Sequence, residues 1–295
     1  ALPIYKHKLT INYNIMNNTF NIKRFGNVVR RDGMSYFQNF GWTLIVLWAL
    51  PVIMWFLTYI SMETFDTGVI SNRDTKISIL MWLSLMIVPS RLYKNYNDSR
   101  KGVVLAMTPA SSLEKFLSMI LYCVVITPIV YLIGALFIDT ILALKPGTNP
   151  YEGFIISDFF SKNYESYREI LSLGDEELNR SIYDYMLSKN HFIYKVLQIL
   201  GFTSLFMFTN MLFKKRKLSK TIGILTLLGI IFSILVVRYV MNLEYNFDAD
   251  WTDEEMTNYI KGVVNYVYHF VFYMSFISTS VFLYLTYYKI KKQTY

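Results

Sequence analysis

The sequence predicts an all-helical, polytopic membrane protein with six transmembrane helices, and three observations carry that expectation. Of 295 residues, 54% are apolar and only 17% charged, whereas about a quarter of a soluble domain is charged. The charges are swept into clusters separated by long uncharged runs, a pattern that a soluble core does not need and a bilayer does. The clusters also alternate in sign along the chain, which fixes an orientation.

Six uncharged runs are the candidate spans, at residues 42–60, 77–90, 116–138, 196–213, 221–237 and 262–288. A helix needs about 20 residues to cross the hydrocarbon core. The second run is short, but Lys76 and Arg91 at its ends can snorkel and allow a longer helix. The sixth is long enough to tilt or to extend into the interface, where Tyr259, Tyr266, Tyr284, Tyr287 and Tyr288 fit an aromatic belt. The transmembrane domain is thus 42–288. It has outside segments at 139–190 and 241–261, a cytoplasmic connection at 91–115 and a cytoplasmic tail at 289–295.

Orientation follows from the connections. Four of them, 1–41, 91–115, 214–220 and 289–295, hold nineteen Lys and Arg against the acids Asp32, Asp98 and Glu114. The alternate connections hold eight basic and eighteen acidic residues. By the positive-inside rule both termini are cytoplasmic. The same distribution excludes nucleic acid as the partner behind the net charge of +8, because the basic residues are spread over short connections facing a membrane surface and its lipid.

Within 1–41, Phe20, Ile22, Phe25, Val28 and Val29 recur at helical spacing among Lys23, Arg24, Arg30 and Arg31. This reads as an amphipathic helix lying in the cytoplasmic interface, ahead of the first span; a simple topogenic charge cluster is the alternative. No continuous apolar core of signal-peptide length precedes residue 42, so the first span is expected to direct insertion. Met16 is read as the native start, with the residues before it an upstream extension. Outside, Pro146, Gly147, Asn149 and Pro150 mark a turn; Ser172 opens a helix over 175–189, and Thr252 is a plausible N-cap before Glu255.

Several chemistries are absent from the sequence. There is no Gly-x-x-x-x-Gly-Lys-Ser/Thr loop for ATP. His7, His191 and His269 form no zinc-binding spacing, and no Gly-x-Ser-x-Gly elbow occurs. The single cysteine, Cys123, allows neither an intrachain disulfide nor a four-cysteine zinc site. No catalytic, cofactor-binding or metal residue is therefore assigned, and the chain is expected not to be an enzyme. His269 is read as the one Asp, Glu or His side chain well inside a span, in either a functional or a structural role. Pro51 and Pro128 can kink their helices at a pathway or simply be tolerated.

The cytoplasmic connection 91–115 carries the most specific signal. It ends MTPASSLEKF, in which Thr108 or Ser111 can cap a helix, Pro109 suits a first turn, and Glu114 stands where a capping box needs it. A short helix is expected here, meeting the third span at an angle. The phrase MTPASSLEKFLSMILY resembles one carried by many Bacteroidota permeases of the second type of ATP-binding-cassette (ABC) exporter, at their coupling helix. MNNTFNIKRFG resembles their N-terminal elbow, and richness in Asn, Lys, Tyr and Ile fits an AT-rich bacterial source.

The resemblance implies a permease subunit in the bacterial inner membrane, paired with a second copy or paralogue and with ABC ATPase subunits that bind ATP and Mg. It implies that Arg100, Lys101, Thr108, Pro109, Ser111, Glu114 and Lys115 couple this chain to the ATPase. The larger outside segment follows the third span here, whereas well-studied members place theirs after the fifth, so no substrate transfers with the resemblance. The alternative is a scaffold protein that binds envelope partners through its acidic outer loops and transports nothing.

Overall fold

In the computed structural model, residues 20–61, 70–97, 109–145, 151, 153–155, 192–214, 216–244 and 253–292 are described. All regular structure among them is helical. The elements are α1 (Ile22–Ser61), α2 (Ile70–Leu92) with a 3-10 turn at Lys94–Asn97, α3 (Ser112–Ile120), a π segment (Leu121–Ile126), α4 (Thr127–Ala143), α5 (Phe192–Leu212), α6 (Lys217–Glu244) and α7 (Asp253–Lys291). The turn, helix and cap expected around 146–150, 175–189 and Thr252 lie outside the described residues.

Five helical stretches are long and apolar enough to cross a membrane: Ile22–Leu57, Arg73–Tyr96, Ser112–Ala143, Ile193–Leu212 and Lys261–Lys291. The short second run does extend past both of its charges, since α2 contains Lys76 and Arg91. The fifth expected span, 221–237, lies inside the 28-residue α6 but is not one of those five. The multi-pass membrane character therefore rests on five helices, and the sixth crossing rests on the sequence pattern.

Two expectations at the basic end need correction. The elbow is not a separate helix, because α1 runs through 40 residues without interruption, about 60 Å at 1.5 Å per residue. Neither Gly33 nor Gly41 is followed by a proline, and buried Tyr36, Phe40 and Leu44 carry one packed face across the expected boundary at residue 41. Nor, among the described residues, is the helix capped by Ser111 a separate piece that meets the third span at an angle; residues 98–108 of the connection lie outside them. The helix starting at Ser112 passes through the π segment directly into α4.

The π segment has a local cause. Pro128 has no N–H, so an ordinary helix would leave the carbonyl of Val124 without its donor. Widening the preceding turn redistributes the bonds: the Thr127 N–H donates to Tyr122 O, and Thr127 Oγ1 donates to the same carbonyl at 2.7 Å.

The core is the seam between α1, α2, the third span and α5. Tyr36, Phe40 and Leu47 of α1 pack with Val88 of α2, Met119 and Cys123 of the third span, Tyr131 of α4 and Met207 of α5. Lipid tails are as apolar as these side chains, so cohesion comes from close packing and interhelical hydrogen bonds rather than from expelled water. Gly134 admits the Trp48 indole, which a Cβ there would strike; the indole N–H donates to Tyr131 O at 3.1 Å. A Cβ on Gly33 would lie 2.5 Å from the Tyr122 hydroxyl, which reaches over α1 to donate to Val29 O at 2.8 Å. Buried hydroxyls also bond back along their own helix, as Thr203 does to Ile199 O and Thr286 to Phe282 O, both at 2.7 Å.

Outside this seam, α5 packs most extensively on α7, and α6 rests more lightly on α5 and α2. Ile224, Leu227, Leu228, Ile230, Ile231 and Ile234 of α6 are exposed, as are Tyr266, Phe270, Tyr273, Met274 and Ile277 of α7. Such a periphery suits a lipid solvent.

Candidate functional site

The expected capping box is present, with both of its hydrogen bonds formed. Ser111 has extended backbone angles and is the N-cap of α3. Its Oγ accepts from the Glu114 N–H at 3.2 Å, and Glu114 Oε2 accepts from the Ser111 N–H at 2.9 Å. Two orphan donors of the helix start are thereby satisfied, and a carboxylate stands at its positive end. Ser111 is the cap and Thr108 is not described; Pro109 precedes the cap by two positions instead of opening the first turn.

Glu114 also reaches beyond its own helix. Its Oε1 accepts from the Asn21 N–H at 2.8 Å and from Arg24 Nη2 at 3.0 Å. Asn21 in turn caps α1, its Oδ1 accepting from the N–H groups of Lys23 at 2.9 Å and Arg24 at 3.3 Å. The starts of α1 and α3 are therefore clipped together through one fully buried carboxylate. A second clip lies further along α1. Buried Asp32 accepts through Oδ1 from Arg31 Nη2 at 2.8 Å, and through Oδ2 from the Ser118 hydroxyl at 2.8 Å and the Tyr93 hydroxyl at 3.2 Å. That single side chain joins α1 to α3 and to the turn after α2. Asn210 Nδ2 donates to Tyr93 O at 3.2 Å, adding α5.

Every joint between these helices is a hydrogen bond to a buried carboxylate or to backbone. Ser111 and Glu114 are buried, while Pro109 and Leu113 are exposed and Lys115 is half-buried. Ser111 and Glu114 thus hold the helix start in place, and its exposed surface is formed by Pro109 and Leu113. Arg100 and Lys101 lie outside the described residues. Phe116 anchors the same turn to α7 by an edge-on contact with Tyr287, ring centroids 5.6 Å apart.

At the opposite end, Arg73 Nη2 and Asp139 Oδ2 pair at 2.9 Å, almost fully buried. Arg73 also donates to Gly153 O at 3.2 Å, and its guanidinium lies 4.3 Å from the Tyr151 ring centroid. Burial, with a smaller contribution from Asp139, pushes the Tyr151 phenol up to about 12. Sequence reasoning missed this pair because both members flank uncharged runs and were counted with the outside connections. Two charges at the ends of separate runs are its only signal.

Of the three candidate pathway residues, Pro128 is buried beyond the π segment, Pro51 is half-buried within α1, and His269 is exposed on α7. The His269 ring lies 5.5 Å from that of Tyr268 and 6.4 Å from that of Tyr273. The structure does not gather the three at one place. Pro89, inside α2 and buried, is a further membrane proline that the sequence reading did not single out. Cys123 is buried and unpaired with another cysteine. No group of His, Cys, Asp and Glu among the described residues is arranged to hold a metal ion.

No protein-family model, no curated protein and no solved structure matches the chain.

Proposed function

We propose that this chain is the membrane permease subunit of an ATP-driven exporter of the second ABC type, crossing the bacterial inner membrane six times with both termini in the cytoplasm. The observation that carries the reading is the Ser111–Glu114 box at the start of the 112–143 span, locked to α1 by Asn21 and Arg24. A helix start of that kind passes on rigid-body motion, where a flexible loop would absorb it. It coincides with the segment whose sequence resembles the coupling element of that family. In this reading α6 supplies the remaining crossing, and its exposed apolar side chains face lipid.

Energy comes from a separate ATPase subunit that holds ATP and Mg and docks against Pro109, Leu113 and Lys115; the resemblance implies that Arg100, Lys101 and Thr108 take part as well. A second copy or a paralogue completes the pathway, because six helices on one side do not enclose it.

The test is copurification in mild detergent from native membranes, followed by ATP turnover of the recovered complex. A phosphate-loop ATPase that copurifies, and whose turnover rises when the chain is present, supports the reading. Recovery with envelope proteins alone, and no effect on ATP turnover, replaces it with the scaffold alternative.

A further inference from the structure

Where the turn after α2 meets the connection between α5 and α6, five cations surround one cleft of about 750 Å3: Arg91, Lys94, Lys214, Arg216 and Lys217. No carboxylate lines it among the described residues. The rest of its lining is the aliphatic Ile87, Leu218 and Ile222 with the hydroxyl residues Thr43, Ser90 and Ser219. The cleft thus brings five cations together with an aliphatic wall, where α2 ends and α6 begins.

The cations do not sit together by accident of a floppy surface. Lys217 Nζ donates to Lys94 O at 2.9 Å, tying the α5–α6 connection to the turn after α2, and Asn210 holds the same turn through Tyr93 O. Arg216 has a backbone φ of 49°, a left-handed conformation that a non-glycine residue adopts only when its surroundings impose it. Like charges held around one space repel, and a bound anion relieves that repulsion.

We infer that this cleft binds the phosphodiester headgroup of an anionic phospholipid, with an acyl chain lying along Ile87 and Ile222. Lys and Arg beside a membrane are attracted to anionic lipid, and Arg and Lys both hold phosphate oxygens well. An inorganic phosphate offers the same charge but leaves the apolar wall, and most of the volume, unfilled. That wall is the reason for assigning the site to a lipid. The inference is independent of the exporter reading, since it needs only that α2 ends and α6 begins at a membrane surface.

The experiment uses the full chain, purified in detergent and exposed in turn to phosphatidylglycerol, phosphatidylcholine and inorganic phosphate, with bound lipid counted by native mass spectrometry. Retention of phosphatidylglycerol is expected to fall roughly tenfold or more in R91Q/K94Q/K214Q/R216Q, whose loss of four cations removes most of the attraction. The pair variants R91Q/K94Q and K214Q/R216Q, less disruptive to folding, are expected to lose part of it. K289Q/K291Q, which neutralises two cations outside the cleft, is expected to retain lipid as the wild type does. Equal retention of phosphatidylcholine, equal loss in K289Q/K291Q, or unchanged retention in both pair variants overturns the proposal. So does inorganic phosphate that displaces phosphatidylglycerol at equal concentration, because the apolar wall then contributes nothing.

Discussion

Glu114 and Arg24, 90 residues apart in sequence, meet at 3.0 Å with the carboxylate fully buried and the guanidinium partly exposed. The same carboxylate completes the capping box of its own helix. One side chain thus decides where α3 starts and where α1 is held.

Replacing Glu114 should therefore cost more than an ordinary cap. Glu114→Ala leaves the buried Ser111 N–H without an acceptor, a loss that costs about 1–3 kcal/mol, and also removes the bond from the more exposed Asn21 N–H. Arg24 is partly solvated and adds little to the penalty. Thermal unfolding in detergent should show a clear drop for Glu114→Ala and a much smaller one for Arg24→Gln.

The Arg73–Asp139 pair offers a double-mutant cycle. Asp139→Asn or Arg73→Met alone strands a buried charge, at a cost of about 3–5 kcal/mol. The combined Arg73→Met, Asp139→Asn variant should be more stable than either single variant. If the two single losses simply add in unfolding measurements, the pair does not act as a unit.

Two helical glycines should respond in opposite directions. Gly134→Ala drives a methyl group into the Trp48 indole, an overpacking that costs about 1–3 kcal/mol. Gly223, within α6, has open space around it, so Gly223→Ala should be neutral or stabilising by up to about 1 kcal/mol. Melting temperatures of the two variants check both signs.

The proposed topology is testable by labelling. With buried Cys123 replaced first, cysteines at Ser219 and Lys291, both exposed, should be shielded from an impermeant thiol reagent in intact cells. Cysteines at Asn163 and Asn246 should react. Labelling at Ser219 from outside would remove the α6 crossing.

Much of this architecture could be read from the chain, and its failures have physical reasons. Five of the six span positions were legible because a bilayer demands uncharged length, and the capping box because Ser111 and Glu114 stand at the spacing its geometry requires. Two of the three acids on the basic face, Asp32 and Glu114, proved to be buried joints. Their rarity among nineteen basic residues was a signal that composition alone could not interpret. What was not legible depends on contacts between distant segments. Asn21 and Arg24 on Glu114, Tyr93 and Ser118 on Asp32, and Arg73 on Asp139 leave no periodic trace. Continuity of α1 past residue 41 was hidden because the change from a basic to an uncharged stretch looks like a boundary, although no residue there breaks a helix.

ATP turnover of the partner ATPase, measured in proteoliposomes with wild-type chain, Ser111→Ala and Ser111→Pro, bears most directly on the proposed coupling. Ser111→Ala removes the side-chain half of the box, about 1 kcal/mol of helix start. Ser111→Pro suits the local φ of −66° yet removes both the Oγ acceptor and the N–H that Glu114 accepts. The wild type should stimulate turnover, Ser111→Ala should stimulate it less, and Ser111→Pro should lose most of the effect while the complex stays intact in a pull-down. No stimulation by the wild type, or equal stimulation by Ser111→Pro in an intact complex, would contradict a coupling role for this helix start.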